Sequence, residues 1–196
     1  MMISHVTKFF LCLVLSVLLP VSAEVCRNQD VGIDFPDSVG ELVRNSEVFD
    51  YEKLVPGLGE SVTYNSEGVN STVYIYRIGK NISPDESGVV RIQDHLVVPV
   101  GEIMKMQDAG QYQNVALLAT GEFSWWDKLK PARTLYVKLR YQQNGTDRLS
   151  YVHVLGYCSR ILKVWHTFGS VFSQQGEKFH LDLLRVIGRL LTDATQ

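Results

Sequence analysis

The chain has 196 residues, 45% of them hydrophobic, with 19 basic and 21 acidic side chains and a formal net charge of −2. This length suits a single domain with a sizeable core. A mildly acidic chain without a basic run offers no electrostatic basis for binding nucleic acid or an anionic membrane, so neither partner is predicted.

Residues 1–23 have the features of a cleavable signal peptide. Lys8 supplies the positive charge, an apolar run of 11 residues follows, and Val21-Ser22-Ala23 offers the small residues that a signal peptidase reads. The run is shorter than the roughly 20 residues of a membrane-spanning helix, although an uncleaved anchor is the alternative. We therefore predict a periplasmic or secreted protein whose residues 24–196 form one α+β domain, with no transmembrane segment after cleavage.

Two cysteines remain after cleavage, Cys26 and Cys158. An even number of cysteines in an oxidising compartment predicts a disulfide. This bridge closes a loop of about 130 residues, which chain-entropy arguments value at roughly 5 kcal/mol. The alternative is two free thiols, with Cys158 as a nucleophile.

The first half of the mature chain contains short predicted strands and one long helix. Asp37 or Ser38 caps a predicted helical turn that runs through Leu42-Val43. Three strands are predicted, over Val48–Tyr51, Ser61–Tyr64 and Thr72–Ile78, and the last is apolar on both sides, which indicates a central position. Apolar residues at helical spacing from Val89 to Met106 predict a long helix, bent at Pro99 and ended by Gly110.

The second half begins with a predicted strand over Val115–Phe123 and a hairpin. Asn144-Gly145 supplies the two positive-φ positions of a type I′ turn, which places Val137 opposite Val152 and Leu135 opposite Val154. A strand over Arg160–Phe168 and a helix from Phe179 to Leu191 follow. The wet side of this helix is expected to carry His180, Asp182, Arg185 and Arg189.

This order of elements predicts an α+β fold, with an antiparallel sheet of five to seven strands between a long central helix and a C-terminal helix, as an α/β/α sandwich. Several segments resemble a family of small exported bacterial proteins with no assigned activity: Tyr51–Lys53, Pro56–Gly59, Ser61–Tyr64, Val73–Gly79, Leu155–Tyr157 and Ile161–Val164. The order of elements also resembles the PsbP-like fold of the photosystem II extrinsic protein. That resemblance implies a sandwich used mainly to bind other proteins, and it brings no catalytic residue.

No nucleotide-binding, metalloprotease or serine-hydrolase motif occurs in the sequence. His153 and His166 fall on neighbouring predicted strands, but a metal site needs a further ligand, so we expect surface or strand-face histidines, no metal and no cofactor. Acidic side chains on the long helix form two candidate acid–base pairs, Glu102 with Asp108 and Asp94 with Glu102, although such residues usually form a solvated face.

Aromatic and cationic side chains form the candidate binding surface. Adjacent Trp125 and Trp126 can stack on a sugar, a lipid or a protein, or serve in the core. One face of the hairpin, either open or covered by a helix, adds Tyr136, Lys138, Arg140 and Tyr151. We therefore predict an exported, non-enzymatic binding or accessory domain of the bacterial envelope, with a protein or envelope component as partner. The alternative is a small exported hydrolase-like enzyme built on His153, His166 and Cys158 or on the helix carboxylates.

Overall fold

A computed structural model describes residues 33–45, 48–54, 58–77, 92–124, 133–157 and 160–193. These residues form one antiparallel sheet and two α-helices. The strands are β1 (Ser38–Val39), β2 (Leu42–Arg44), β3 (Phe49–Asp50), β4 (Glu60–Ser66), β5 (Val69–Arg77), β6 (Tyr112–Ser124), β7 (Arg133–Gln143), β8 (Thr146–Tyr157) and β9 (Arg160–Gly169). The helices are α1 (Ile92–Asp108) and α2 (Ser173–Asp193).

The strand order is β1-β2-β4-β5-β9-β8-β7-β6, and β3 pairs with β4 beside this path. All of these pairings are antiparallel. The predicted α+β class and antiparallel sheet are confirmed, and β5 lies centrally between β4 and β9 as predicted. The sheet has nine described strands, so the predicted number of five to seven is wrong.

The excess arises mainly at residues 37–44, where the predicted helical turn is a β-hairpin. Val39 pairs with Leu42 across a two-residue turn, and Gly40 in that turn has a φ of +60°. A helix cannot pass through a left-handed residue, whereas a tight turn uses one readily. Val39 and Leu42 are both buried in the core beneath α2, so packing favours the hairpin further.

The hairpin of β7 and β8 forms in the predicted register. Asn144 and Gly145 have φ values of +52° and +74°, as a type I′ turn requires. Val137 lies opposite Val152, and Leu135 lies opposite Val154. A slip by one residue would move every apolar side chain of a strand to its other face, so this turn fixes which residues each helix can cover.

Two apolar clusters occupy alternate positions along the strands. The first joins α2 to strand residues such as Val73, Leu162 and Val164, and the second joins α1 to residues such as Val152 and Ile161. Because successive strand residues point to opposite faces, the two helices pack on opposite faces of the sheet. α1 lies mainly over β6, β7 and β8, whereas α2 lies over β9 and β1.

The ends of α1 follow local sequence signals. Gly110 has a φ of +73°, and the Gln111 N–H donates a hydrogen bond of 2.9 Å to the Met106 carbonyl, which closes the helix as predicted. Pro99 lies inside the helix and is buried. In the described part of the chain, neither helix combines the length and apolar character needed to cross a membrane.

Candidate functional site

One half of a sheet face is polar and aromatic rather than aliphatic. It is formed by β4, β5 and β9 on the face of the sheet where α1 packs. We call it the polar half-face, and its residues are Ser61, Thr63, Thr72, Tyr74, Tyr76, Lys163 and Trp165. The register places Thr63 beside Thr72 and Tyr74 beside Lys163. α1 lies mainly over the neighbouring strands β6 to β8, where the same face carries aliphatic residues. The sequence therefore changes from aliphatic to polar where helix cover ends.

Lys163 lies near the centre of the polar half-face, against two aromatic rings. Its Nζ is 4.4 Å from the centre of the Tyr74 ring and 5.8 Å from that of Trp165, both within the range of cation–π attraction. Burial lowers the pKa of Lys163, and the charge of Glu102 opposes this shift. Among the described residues, no carboxylate forms an ion pair with Lys163.

α1 contributes the rim of this site. The Tyr76 hydroxyl and His95 Nδ1 are 3.1 Å apart, within hydrogen-bonding distance. Burial raises the pKa of Tyr76 to about 12, and the charge of Glu102 adds to the shift. Burial also lowers the pKa of His95, although Asp94 opposes it. We call the assembly the lysine cluster: Tyr74, Tyr76, His95, Glu102, Lys163 and Trp165.

The sequence prediction missed the lysine cluster except for Glu102. One signal was present: a lysine between apolar residues of a strand, in Ile161-Leu162-Lys163-Val164. The predicted acid–base pairs do not assemble, because Glu102 is six residues from Asp108 and eight from Asp94. These spacings amount to about 9 and 12 Å along a helix axis.

The structure divides the predicted hairpin surface. Tyr151 is only 9% exposed, and its single hydroxyl proton is shared between the two carboxylate oxygens of Glu177 on α2, which lie 2.7 and 2.8 Å away. Lys138 donates a bond of 2.9 Å to Glu177 and lies 4.7 Å from the centre of the Tyr151 ring. Tyr136 is half-buried and Arg140 is exposed. Of the two alternatives for this face, cover by a helix therefore applies to Tyr151, which lies beneath α2.

The remaining predicted site residues lie outside the described part of the chain. Trp125 and Trp126 follow β6, and Cys158 follows β8. Cys26 precedes the first described residue. Their roles in binding and in a disulfide stay predictions.

Three histidines lie in the core between the sheet and α2. His153, His166 and His180 are 2%, 0% and 4% exposed. His153 and His166 are therefore strand-face histidines, one of the two expected alternatives, whereas the predicted place of His180 on the wet side of its helix is wrong. His180 lies four residues before Leu184 and seven before Ile187, both of which are buried. This spacing already places His180 on the buried stripe, and it could have been found in the sequence.

His166 has both ring nitrogens paired. Its Nε2 lies 2.9 Å from the Gly176 carbonyl oxygen, and its Nδ1 lies 2.6 Å from the Ser71 hydroxyl. A carbonyl oxygen only accepts, so Nε2 carries the proton and Nδ1 accepts from Ser71. Burial lowers the pKa of His166 to about 4, although its hydrogen bond to Gly176 and the charge of Glu177 oppose the shift.

His153 and His180 share a hydrogen bond of 3.0 Å between their Nε2 atoms. One ring must donate and the other must accept, while both Nδ1 atoms lack partners among the described residues. Burial lowers the pKa of His153 to about 3 and that of His180 well below its usual value. The described residues place no three histidine, cysteine or acidic side chains where they could hold a metal ion. These histidines therefore form a neutral core network.

A shallow polar hollow lies where the end of α1 meets the β7–β8 turn. It is lined by amides and glycines: Gly110, Gln111, Gln113, Gln142, Gln143, Asn144 and Gly145. None of these side chains titrates, so the hollow offers hydrogen bonds but no acid–base chemistry.

These features define an antiparallel α+β domain with a helix on each face and a polar half-face beside one of them. No protein-family model and no curated protein matches the sequence. The chain is similar to the solution structure of cyanobacterial PsbP from Synechocystis sp. PCC 6803, with 12% identity, a TM-score of 0.46, and coverage of 76% of this chain and 93% of that one. The predicted weak resemblance to the PsbP-like fold is therefore confirmed, and it assigns no function to any residue.

Proposed function

We propose that the chain is an exported, non-enzymatic binding domain of the bacterial envelope, which contacts a protein or envelope component through the polar half-face. The observation that carries the proposal is Lys163, a half-buried cation set against two aromatic rings, with no ion pair to any described carboxylate. Burying a charge without a partner costs stability, and sites that break such rules are commonly functional. An anionic group of a partner would supply the missing ion pair.

The composition of the half-face supports the same proposal. Interfaces are enriched in tyrosine and tryptophan, which combine a large contact area with a polar tip. Tyr74, Tyr76 and Trp165 provide such area around Lys163. The three strands that carry these residues are paired over most of their length, so the surface is preorganised, which reduces the entropic cost of binding.

Export itself is open to a direct test. We expect the purified protein to begin at Glu24, and unfolded, unreduced protein to show no free thiol because Cys26 and Cys158 are joined. Intact-mass spectrometry with an alkylating reagent measures both properties. An intact Met1 terminus on protein from inside the cell would contradict export, and two alkylated cysteines would contradict the disulfide alone.

Capture of a partner from envelope extracts tests the binding surface. We expect Lys163→Glu to abolish capture, because it places a negative charge where the partner's anionic group would lie. Arg140→Glu is the matched control, because it makes the same charge change at an exposed residue on the opposite face. Circular dichroism spectra and melting curves check that both variants fold. Loss with Arg140→Glu alone would move the interface to the hairpin, and no specific capture by the unchanged protein would contradict the proposal.

One observation favours a second candidate, a small hydrolase-like enzyme. Glu102 is a helix carboxylate whose charge adds to the raised pKa of Tyr74 and opposes the burial that lowers the pKa of Lys163, so one carboxylate acts on both a phenol and an amine. In this alternative, Glu102→Gln removes hydrolysis of a substrate panel but leaves partner capture intact. The version based on His153 and His166 is disfavoured because both rings are buried beneath α2.

A further inference from the structure

We propose that the lysine cluster binds a carboxylate-bearing sugar, with the carboxylate at Lys163 and a sugar ring against Trp165. This inference rests on the proposed function, because it uses the polar half-face as the binding surface. It adds the chemical class of the ligand. Three properties of the half-face lead to it: its charge, its rings and its hydroxyl groups.

The charge of the site fits a monovalent anion. Lys163 is the one cationic side chain of the lysine cluster, since burial lowers the pKa of His95 and keeps its ring neutral near pH 7. Burial lowers the pKa of Lys163, and the charge of Glu102 opposes this shift, so one carboxylate already acts on the ammonium group. A dianionic phosphate would meet a single positive charge beside a carboxylate, whereas a sugar carboxylate matches that charge.

The Trp165 ring offers a flat surface in a fixed orientation. Trp165 donates its indole N–H to the Ser150 hydroxyl at 2.8 Å, which sets the plane of its ring. The face of Tyr74 on the neighbouring strand holds the Lys163 ammonium group, 4.4 Å from the ring centre, so Tyr74 positions the cation. The C–H face of a sugar can pack on the Trp165 ring while its polar groups remain directed outward.

Hydroxyl groups line the same half-face in rows that the register fixes. Thr63 and Thr72 lie opposite each other with their Oγ1 atoms 3.2 Å apart, so only one of their protons is used between them. Ser61 lies opposite Tyr74 in the next row but is buried, so Thr63 and Thr72 provide the hydroxyls that a ligand can reach. A hydroxyl both donates and accepts, as sugar hydroxyls do. An apolar protein surface would be poorly matched to these rows.

Galacturonic acid and its methyl ester form a matched pair of probes, because the ester removes the one charge and keeps the ring. We expect the acid to bind the full mature chain and the ester to bind about tenfold more weakly, as one lost charge pair implies. Isothermal titration calorimetry measures both affinities. Tryptophan fluorescence, compared with Trp165→Phe, reports whether the ring of Trp165 is contacted.

Two substitutions in the lysine cluster are expected to change the affinity for galacturonic acid in opposite directions. Lys163→Gln should weaken binding about tenfold, and Glu102→Gln should strengthen it severalfold, because a repelling carboxylate is removed. Lys105→Gln, an exposed lysine on α1, should change nothing beyond salt screening. If Lys163→Gln fails to fold, the gain with Glu102→Gln and the difference between acid and ester still decide the question.

Equal binding of the acid and the ester would overturn the proposal, because charge would not be recognised. No binding of either probe, with partner capture still dependent on Lys163, would overturn the sugar and leave the proposed function standing. If the unchanged protein binds neither probe and captures no partner, both the sugar proposal and the proposed function are overturned.

Discussion

Acid is expected to destabilise this protein steeply, beginning near pH 6.5. His153, His166 and His180 are buried, and burial is the largest cause of the lowered pKa of each. Below about pH 6.5 the unfolded chain therefore binds more protons at these histidines than the folded chain does. The stability contributed by these neutral rings is complete above pH 6.5, the ordinary pKa of histidine in the unfolded chain. It is lost as the pH falls toward the folded-state pKa values of about 4 for His166 and about 3 for His153.

The expected slope is large. Each such histidine lowers the free energy of unfolding by up to about 1.4 kcal/mol per pH unit below its unfolded pKa, so three give up to about 4 kcal/mol per unit. The charges that face the network do not reverse this sign. Lys138 and the neighbouring rings lower the pKa of His180 further, while Glu177 only partly opposes the shift of His166. Urea unfolding at about pH 7, 6 and 5 measures the slope.

A double variant isolates the network. The double substitution His153→Leu with His180→Leu removes the two rings that hydrogen-bond to each other. Two of the three buried histidines are then absent, so we expect the slope of the unfolding free energy between about pH 6.5 and 5 to fall by about two-thirds. His95→Gln serves as the control, because His95 is partly exposed and should change the slope much less. A slope that the double variant leaves unchanged would show that other groups titrate on unfolding.

Gly59→Ala is expected to be among the most destabilising single methyl additions. A Cβ at Gly59 would lie 1.8 Å from the Ile75 carbonyl oxygen and 2.5 Å from the Tyr76 Cα, and the φ of Gly59 is +69°. Pairing of Glu60 with Ile75 holds the two strands together, so neither backbone can retreat. We expect a loss of about 3 to 5 kcal/mol, the sum of backbone strain and overpacking.

Alanine substitutions at two other glycines separate the cost of backbone strain from the cost of overpacking. Gly40 has a similar φ of +60° but nothing within 4 Å of an added Cβ, so Gly40→Ala should cost only about 1 to 2 kcal/mol. Gly101 lies inside α1, also with open space, so Gly101→Ala should stabilise by about 1 kcal/mol. Urea unfolding curves compare all three variants. Equal effects of Gly59→Ala and Gly40→Ala would contradict the close approach of β4 and β5.

Under these proposals, one face of the sheet determines the acid sensitivity of folding and the other face binds the ligand. The α2 side holds a neutral histidine network whose protonation opposes folding, and the α1 side holds the lysine cluster. Because residues of the two groups point to opposite faces, Lys163→Gln should leave the acid slope unchanged. Binding and acid stability can therefore be measured on the same variants without confusion.

The sequence alone determined the features that depend on neighbouring residues. Asn144-Gly145 set the turn and hence the register of β7 and β8, Gly110 ended α1, and apolar spacing predicted both helices. These signals are local because positive φ, hydrogen-bond closure and periodicity involve residues within one or two turns. The antiparallel class followed from many short strands joined by turns.

Only the tertiary structure decided which parts of the sheet each helix covers, and therefore which polar residues are buried. Tyr74 and Lys163 lie far apart in the chain and meet through the pairing of β5 with β9, while His153 and His180 meet when α2 packs on the sheet. Residues 37–44 form a hairpin because their apolar side chains fit the core beneath α2. Long-range packing outweighs local preference at these places, since burial of apolar area exceeds the small differences in propensity.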